Sequence, residues 1–374
     1  MITIKKVINP KGLKQFIDFP HHLYKDDPNY VPELFMAQKE LLDPKKHPFF
    51  KHSKLDLFLA FKGTKIVGRI AAIRNNNHIK YTEEKEGFFG FFDVVNDFEV
   101  AEKLLDSASD WVKEEGLLSI VGPVNHSTNE TCGVLIEGTD SAPFVMMTYN
   151  KAYYPAFLEK YGFKKKMDLI AYHLLTKDLS DKTVRLLTTL ENRLQLKDIM
   201  IRTVNMKKFD EEIEKIKLIY NTAWDKNWGF VPMTDDEFRF MAKDMKMIID
   251  PDFCYIAEYK GKGIGFSLCI PDLNQILKTI KNGRLFPTGI FKLLLNKRKV
   301  NAVRVLTLGV IEGYRKLGIE ACFYGRNIIT AKKKNIIAAE ASWILENNFL
   351  MNQAMLNIKG TPYKKYRIYE AELK

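Results

Sequence analysis

Residues 303–326 read VRVLTLGVIEGYRKLGIEACFYGR, a passage from an apolar strand through a basic, glycine-containing turn into a helix. Val303, Val305, Leu306, Leu308 and Val310 supply the strand, and 313–318 form the turn. Ala321, Cys322, Tyr324 and Ile328 then recur at helical spacing. Such a connection aims backbone N–H groups and the positive end of the helix dipole at one point, where an anion can sit. Arg315 and Lys316 add charge to the same turn. The bland reading of the segment is an ordinary strand-to-helix connection, so further signals must decide.

The turn resembles the acyl-CoA loop of the GNAT acyltransferase superfamily, whose pattern is Arg/Gln-x-x-Gly-x-Gly/Ala. Arg315 and Gly318 match it, while Glu320 replaces the last small residue and Ala321 follows one place later. A carboxylate there repels pyrophosphate unless it points away. The resemblance implies that Arg315, Lys316, Leu317, Gly318 and Ile319 hold the CoA phosphates, and that a backbone N–H among Leu308, Gly309 and Val310 meets the thioester carbonyl. The superfamily's closing helix starts at an Asn and ends at a Gly, as in NKAYYPAFLEKYGF (150–163) and NFLMNQAMLNIKG (348–360), which adds Asn348 to the CoA-binding set. A tyrosine general acid often lies four residues before that glycine, but Leu158 and Leu356 stand there.

An internal repeat supports a two-domain chain. The segment 58–68, FLAFKGTKIVG, reads as a β-hairpin and recurs as 255–265, YIAEYKGKGIG, placing Ala60 over Ala257 and Gly68 over Gly265. Asn150 and Gly162 fall over Asn348 and Gly360, and Val31-Pro32 over Val231-Pro232, so three separated matches keep nearly one register. The order of strands and helices in each copy predicts an α/β fold of two tandem GNAT-like domains, each a twisted mixed β-sheet flanked by helices. The expected division is 1–178, a linker helix within 179–198, and 199–374. Only the second copy carries the acyl-CoA loop. Its counterpart FFDVVNDFEVAEK (91–103) offers Asp93, Asp97 and Glu99, with Asp97 as helix N-cap. The first domain therefore reads as a degenerate copy.

At 374 residues the chain can bury two cores, and its four cysteines (Cys132, Cys254, Cys269, Cys322) lack metal-ligand spacing. No metal is expected. The N-terminus MITIKKVINP lacks a signal-peptide core and no apolar run could span a bilayer, which points to the cytoplasm, with peripheral contact at the inner membrane surface left open. The net charge of +12 is concentrated: between Ile276 and Arg304 there are eight basic residues and no Asp or Glu, interleaved with Leu, Ile and Phe. Such an insertion can lie on an anionic membrane. It can equally pack on its own domain with a solvated basic rim. Nucleic acid is not expected, because no binding motif accompanies the patch.

Segments spread over nearly the whole chain, among them YKDDPNYVP (24–32), DPKKHPFF (43–50), GPVNHSTNETCGVLIEG (122–138), NWGFVP (227–232), EASWILENN (340–348) and YRIYE (366–370), resemble a bacterial GNAT-like family that includes bacterial ceramide synthases. That resemblance implies transfer of an acyl group from acyl-CoA or acetyl-CoA to an amine, with a long-chain lipid amine as the expected acceptor. The alternative is an inactive CoA- or lipid-binding adaptor at a membrane surface. For the base, Glu340 stands first, on the strand beside the loop, followed by Asp272 and Glu346; Glu340 could also be a structural acceptor of hydrogen bonds. His126, Asn129 and Glu130 form a polar cluster that either contacts the acceptor or satisfies its own loop. Trp228, with Trp224 and Phe230, either lines a lipid site or packs a core.

Overall fold

The two repeated hairpins form where the sequence places them, and their registers pair the residues that superpose: Ala60 with Gly68, and Ala257 with Gly265. The structure, a computed structural model, describes residues 1–178, 181–225 and 227–373. In chain order the strands are β1 (Ile2–Lys6), β2 (Lys54–Lys62), β3 (Lys65–Arg74), β4 (Glu86–Val94), β5 (Ser119–Gly122), β6 (Val134–Glu137) and β7 (Lys164–Leu175). There follow β8 (Ile199–Thr203), β9 (Cys254–Tyr259), β10 (Lys262–Pro271), β11 (Ala302–Val310), β12 (Ala338–Leu345) and β13 (Thr361–Glu372).

Both copies use one pairing scheme. In the first, β1, β2, β3 and β4 are antiparallel neighbours and β4 then pairs in parallel with β5. In the second, β8, β9, β10 and β11 are antiparallel and β11 pairs in parallel with β12. A helix packs closely on the first hairpin: a Cβ at Gly68 would lie 2.6 Å from Leu104 Cδ1, so a larger residue there would have to displace that side chain. Leu104 belongs to the helix Phe98–Glu114, whose Val100, Ala101, Leu104, Leu105, Ala108 and Val112 are buried at helical spacing. Asp97 caps that helix by accepting from Glu99 N at 3.2 Å, as the sequence suggests.

The division of the chain is not the linear one expected from the repeat. One compact unit comprises Met1–Ile170, Asn274–Arg298 and Lys364–Lys374; the other comprises Ala171–Leu273 and Lys299–Tyr363. The last strand is thus built into the first unit, where Tyr369 pairs with Gly122 of β5 and joins a core containing Phe89, Leu104 and Tyr154. The basic insertion also belongs to the first unit. Asn274 Nδ2 donates to Pro143 O at 2.9 Å, Phe35 N donates to Gly283 O at 2.8 Å, and Arg284 bonds Asp18 at 3.0 Å. Its helix spans Ile290–Asn296.

The helix Asp181–Gln195, read as a linker, is part of the second unit: Leu187 and Leu194 pack in one core with Ile319, Cys322 and Phe323. Residues 179 and 180 of that expected linker lie outside the described residues. Among the described residues no helix is long and apolar enough to cross a membrane.

Candidate functional site

The site in the second unit starts from a mismatch between neighbouring strands. The parallel ladder of β11 and β12 runs from Ala302↔Ala338 to Val305↔Ala341 and ends there, while β11 continues to Val310. Where it ends, the β10 register slips between Leu268 and Cys269, so that Leu306 has no opposite residue. This bulge turns Leu308 and Val310 toward the core that contains Ile319 and Phe323, and Gly309 toward the opposite face. A Cβ at Gly309 would lie 2.4 Å from Trp224 Cη2, so its glycine lets the indole rest on the strand. Trp224 itself packs against Tyr220 and Phe266, and Phe230 against Tyr220. Trp228 is half-buried in the loop between them.

The strand leads into the loop 311–318, where Gly313, Lys316 and Gly318 all have positive φ. Gly318 (φ 96°) is the N-cap of the helix Ile319–Lys333 and offers it no side-chain cap. The first helical bond runs from Cys322 N to Gly318 O at 3.0 Å, so the amides of Ile319, Glu320 and Ala321 precede the ladder. Backbone of this kind can cradle a phosphate. Glu320 is half-buried within that first turn, and Lys316 is exposed in the loop.

Arg315 has a different task from the one its charge suggests. Its Nε donates to Val310 O at 3.0 Å and its Nη2 to Ala223 O at 2.7 Å, which ties the loop to the strand end and to a neighbouring helix. Arg315→Ala is therefore expected to lower stability by on the order of 1–3 kcal/mol with or without CoA, since two charge-assisted bonds are lost at a partly exposed site. Thermal unfolding checks this; an unchanged midpoint would show that the brace is idle. Asn348 likewise has a local partner, capping the helix Phe349–Asn357 by accepting from Met351 N at 3.1 Å.

On the face of the sheet opposite the helix Ile319–Lys333, Glu340 is wholly buried in β12. Ser342 Oγ donates to its Oε1 at 2.6 Å, Tyr363 OH donates to Oε2, and Arg304 Nε stands 3.9 Å from Oε1. Arg304 also donates to Ser342 Oγ at 3.1 Å. It is 2% exposed, so it belongs to this cluster rather than to the basic surface with which the sequence groups it. Tyr363 is half-buried. Neither Tyr363 nor Arg304 was a candidate from sequence, because they come from different strands.

Glu346 lies six residues beyond Glu340, in the turn that follows β12, and is half-buried. Asp272 is buried at the far end of β10, its amide donating to Ala302 O at 2.9 Å. All four cysteines are buried free thiols. Burial pushes Cys322 up to about 11 and Cys269 up to about 12, and raises Cys254 as well, so these three are not thiolate nucleophiles near neutrality.

In the first unit the equivalent cleft is filled by its own chain. Beyond the ladder of β4 and β5, Val124 N donates to Phe89 O at 2.8 Å and Asn125 Oδ1 accepts from Phe91 N at 2.8 Å. A Cβ at Gly90 would meet Val124 O at 2.4 Å. The turn into the next helix is only residues 95–97, and Asp93 is held by Arg69 Nε at 2.8 Å and Tyr24 OH at 3.0 Å. In the same loop Asn129 N bonds Ser127 Oγ and Glu130 N bonds Ser127 O, so backbone groups are satisfied locally. His78, Glu84 and Glu86 could converge on a cation, but Lys166 already donates to Glu86.

His126 is 1% exposed, stacked on His47 at 4.9 Å and ringed by Phe49, Phe50 and Phe91, and neither ring nitrogen has a hydrogen-bond partner. Burial, then the neighbouring His47, holds it well below the ordinary histidine value; burial also pushes His21 down to about 4. Both stay neutral in the fold while the unfolded chain gains protons below about pH 6.5. Stability should therefore fall as pH drops from 6.5 toward 4, by about 1.4 kcal/mol per pH unit for each group. His126→Phe should flatten that slope in urea titrations between pH 4 and 7, and an unaltered slope would contradict the assignment.

No established family profile matches the chain. Protein YghO of Escherichia coli (strain K12) is 36% identical to it over 381 residues, spanning 99% of this chain and 95% of that protein. The bacterial ceramide synthase of Caulobacter vibrioides is 33% identical over 384 residues, spanning 100% of this chain and 98% of that protein. Among solved structures, a tandem GNAT protein from the clavulanic acid biosynthesis pathway aligns over 100% of this chain and 99% of its own with a TM-score of 0.59 at 10% identity, a likeness of fold. Two copies of one strand scheme give the fold of a tandem GNAT protein, and the full-length identities give the family: the chain belongs to the family that contains Protein YghO and the bacterial ceramide synthase.

Proposed function

We propose that this protein is an acyl-CoA-dependent N-acyltransferase whose second unit holds the acyl donor and whose acceptor is a long-chain lipid amine. The observation that carries this reading is the interrupted β11–β12 ladder leading into a glycine-punctuated loop and an uncapped helix start. The amides of Ile319, Glu320 and Ala321 would bind the pyrophosphate, with Lys316, Leu317 and Gly318 shaping the loop. Leu308, Gly309 and Val310 would border the thioester. Arg315 and Asn348 support this site through their backbone bonds. The relative named bacterial ceramide synthase supports the lipid acceptor.

In the reaction the amine nitrogen attacks the thioester carbonyl, the C–S bond breaks, the amine gives up a proton and the CoA thiolate leaves to be protonated. Glu340 is the first choice for the proton acceptor. Because it is wholly buried, it would act through the Tyr363 or Ser342 hydroxyl. Asp272 and Glu346 remain second choices. The reaction would take place in the cytoplasm, at the inner membrane surface where a lipid amine is available. A second reading, CoA or lipid binding without turnover, is favoured by Leu356 at the position of the superfamily's tyrosine acid and by Glu320 in the helix turn.

Incubation with acyl-CoA and a long-chain primary amine, followed by mass spectrometry for the amide and titration of free CoA thiol, separates the two readings. Amide and thiol in equal amounts are expected. Binding of acyl-CoA without amide would establish the non-catalytic reading.

A further inference from the structure

The segment Asn274–Arg298 leaves the sequence of the second copy and folds with the first unit. One side of it is anchored. Ile276 and Ile280 are 4% exposed, Asn274 bonds Pro143 O, and the Arg284 guanidinium lies 4.5 Å above the Phe35 ring while bonding Asp18. The other side is apolar and faces outward: in the helix Ile290–Asn296, Phe291, Leu294 and Leu295 are 63%, 65% and 75% exposed, and Phe286 is 64% exposed. Their i, i+3, i+4 spacing puts the three helical residues on one face. A solvated basic rim would keep the large apolar side chains inward, whereas this helix turns Phe291, Leu294 and Leu295 outward.

Cations surround that face. Lys278, Lys281, Lys292, Lys297 and Arg298 are all exposed, and no Asp or Glu occurs between Ile276 and Arg304. Large apolar side chains held outward on an anchored element mark an interaction surface. With a collar of cations, the complementary partner is a surface that offers phosphates at one depth and hydrocarbon just below.

We propose that residues 286–298 dock the protein on an anionic bilayer, with Phe286, Phe291, Leu294 and Leu295 entering the interface and the cations meeting lipid phosphates. This inference deepens the proposed acyl transfer by stating where the lipid amine is met, and rests on that reading for the acceptor alone.

Flotation of the full chain with phosphatidylglycerol vesicles and with phosphatidylcholine vesicles tests the docking without any turnover. Binding to the anionic vesicles only is expected, weakening as salt rises. The variants Phe291→Ser/Leu294→Ser/Leu295→Ser and Lys297→Glu/Arg298→Glu change exposed residues, so melting points should stay at the parent value while vesicle binding falls by roughly tenfold or more. Absence of binding by the parent, or variants that float like the parent, would overturn the inference. So would a parent dimer that the triple serine variant converts to monomer without any vesicle binding, which would assign the face to a second copy. Acylation of a detergent-dispersed amine by a variant that no longer floats would leave the enzyme reading intact, so the two failures are distinguishable.

Discussion

Removal of the chain after Tyr363 is expected to unfold the first unit, although most of that unit lies more than two hundred residues earlier in sequence. The removed strand carries Tyr366, Ile368 and Tyr369, all at 0% exposure, and the fork of Arg367 that grips Asp168 at 2.8 and 3.0 Å. The buried Lys364 ammonium donates to Gly138 O and Ser141 O. Truncating one large buried side chain costs about 3–5 kcal/mol. Three such losses match or exceed the roughly 5–15 kcal/mol that holds a whole domain folded. Tyr369→Ala alone should take about 3–5 kcal/mol from the first unit. Hydrogen exchange read by mass spectrometry locates the effect: β4 should lose protection while β9 and β10 keep theirs. A protected β4 in the truncated chain would contradict the assignment of the last strand.

Changing Glu340 to glutamine should lower turnover by about a hundredfold or more, within the range usual for a lost general base, and leave acyl-CoA affinity unchanged. Glu340→Ala should cost stability as well. It removes the carboxylate that stands 3.9 Å from the buried Arg304, and breaking a buried pair typically costs about 3–5 kcal/mol. Tyr363→Phe removes one hydroxyl from the cluster and tests whether protons pass through it. A turnover loss that only tracks the loss of stability across the three variants would make Glu340 a structural anchor and move the search for a base to Asp272.

Local signals were the legible ones. The hairpins follow from alternation and glycine turns, and Ala60–Gly68 and Ala257–Gly265 pair as the repeat suggests. Asp97 caps its helix because a short acceptor before an apolar run does so wherever it occurs. The destination of β13 was not legible: KKYRIYEAEL has the alternation of a strand, but nothing in it states which copy's β-strand will be its neighbour. The insertion failed for the same reason, since the contacts of Asn274 with Pro143 and of Gly283 with Phe35 join distant parts of the chain.

The site shows the same limit. The strand, turn and helix of 303–326 could be read directly, and Glu340 could be singled out. That its two oxygens are taken up by Ser342 and Tyr363, and that Arg304 faces it, depends on strand register. Asn125, which fills the first copy's cleft, stood in a polar run whose loop role could be guessed but whose bond to Phe91 N could not.

Equilibrium titration with CoA by calorimetry tests the central claim most directly, comparing the parent with Gly318→Val and Asn125→Ala. Gly318 adopts φ 96° at the helix start, so valine there should disrupt the phosphate cradle, whereas Asn125 belongs to the filled cleft. One CoA per chain is predicted for the parent and for Asn125→Ala, and none for Gly318→Val. Two CoA per chain, or binding that survives in Gly318→Val and disappears in Asn125→Ala, would contradict the assignment of the acyl-donor site to the second unit.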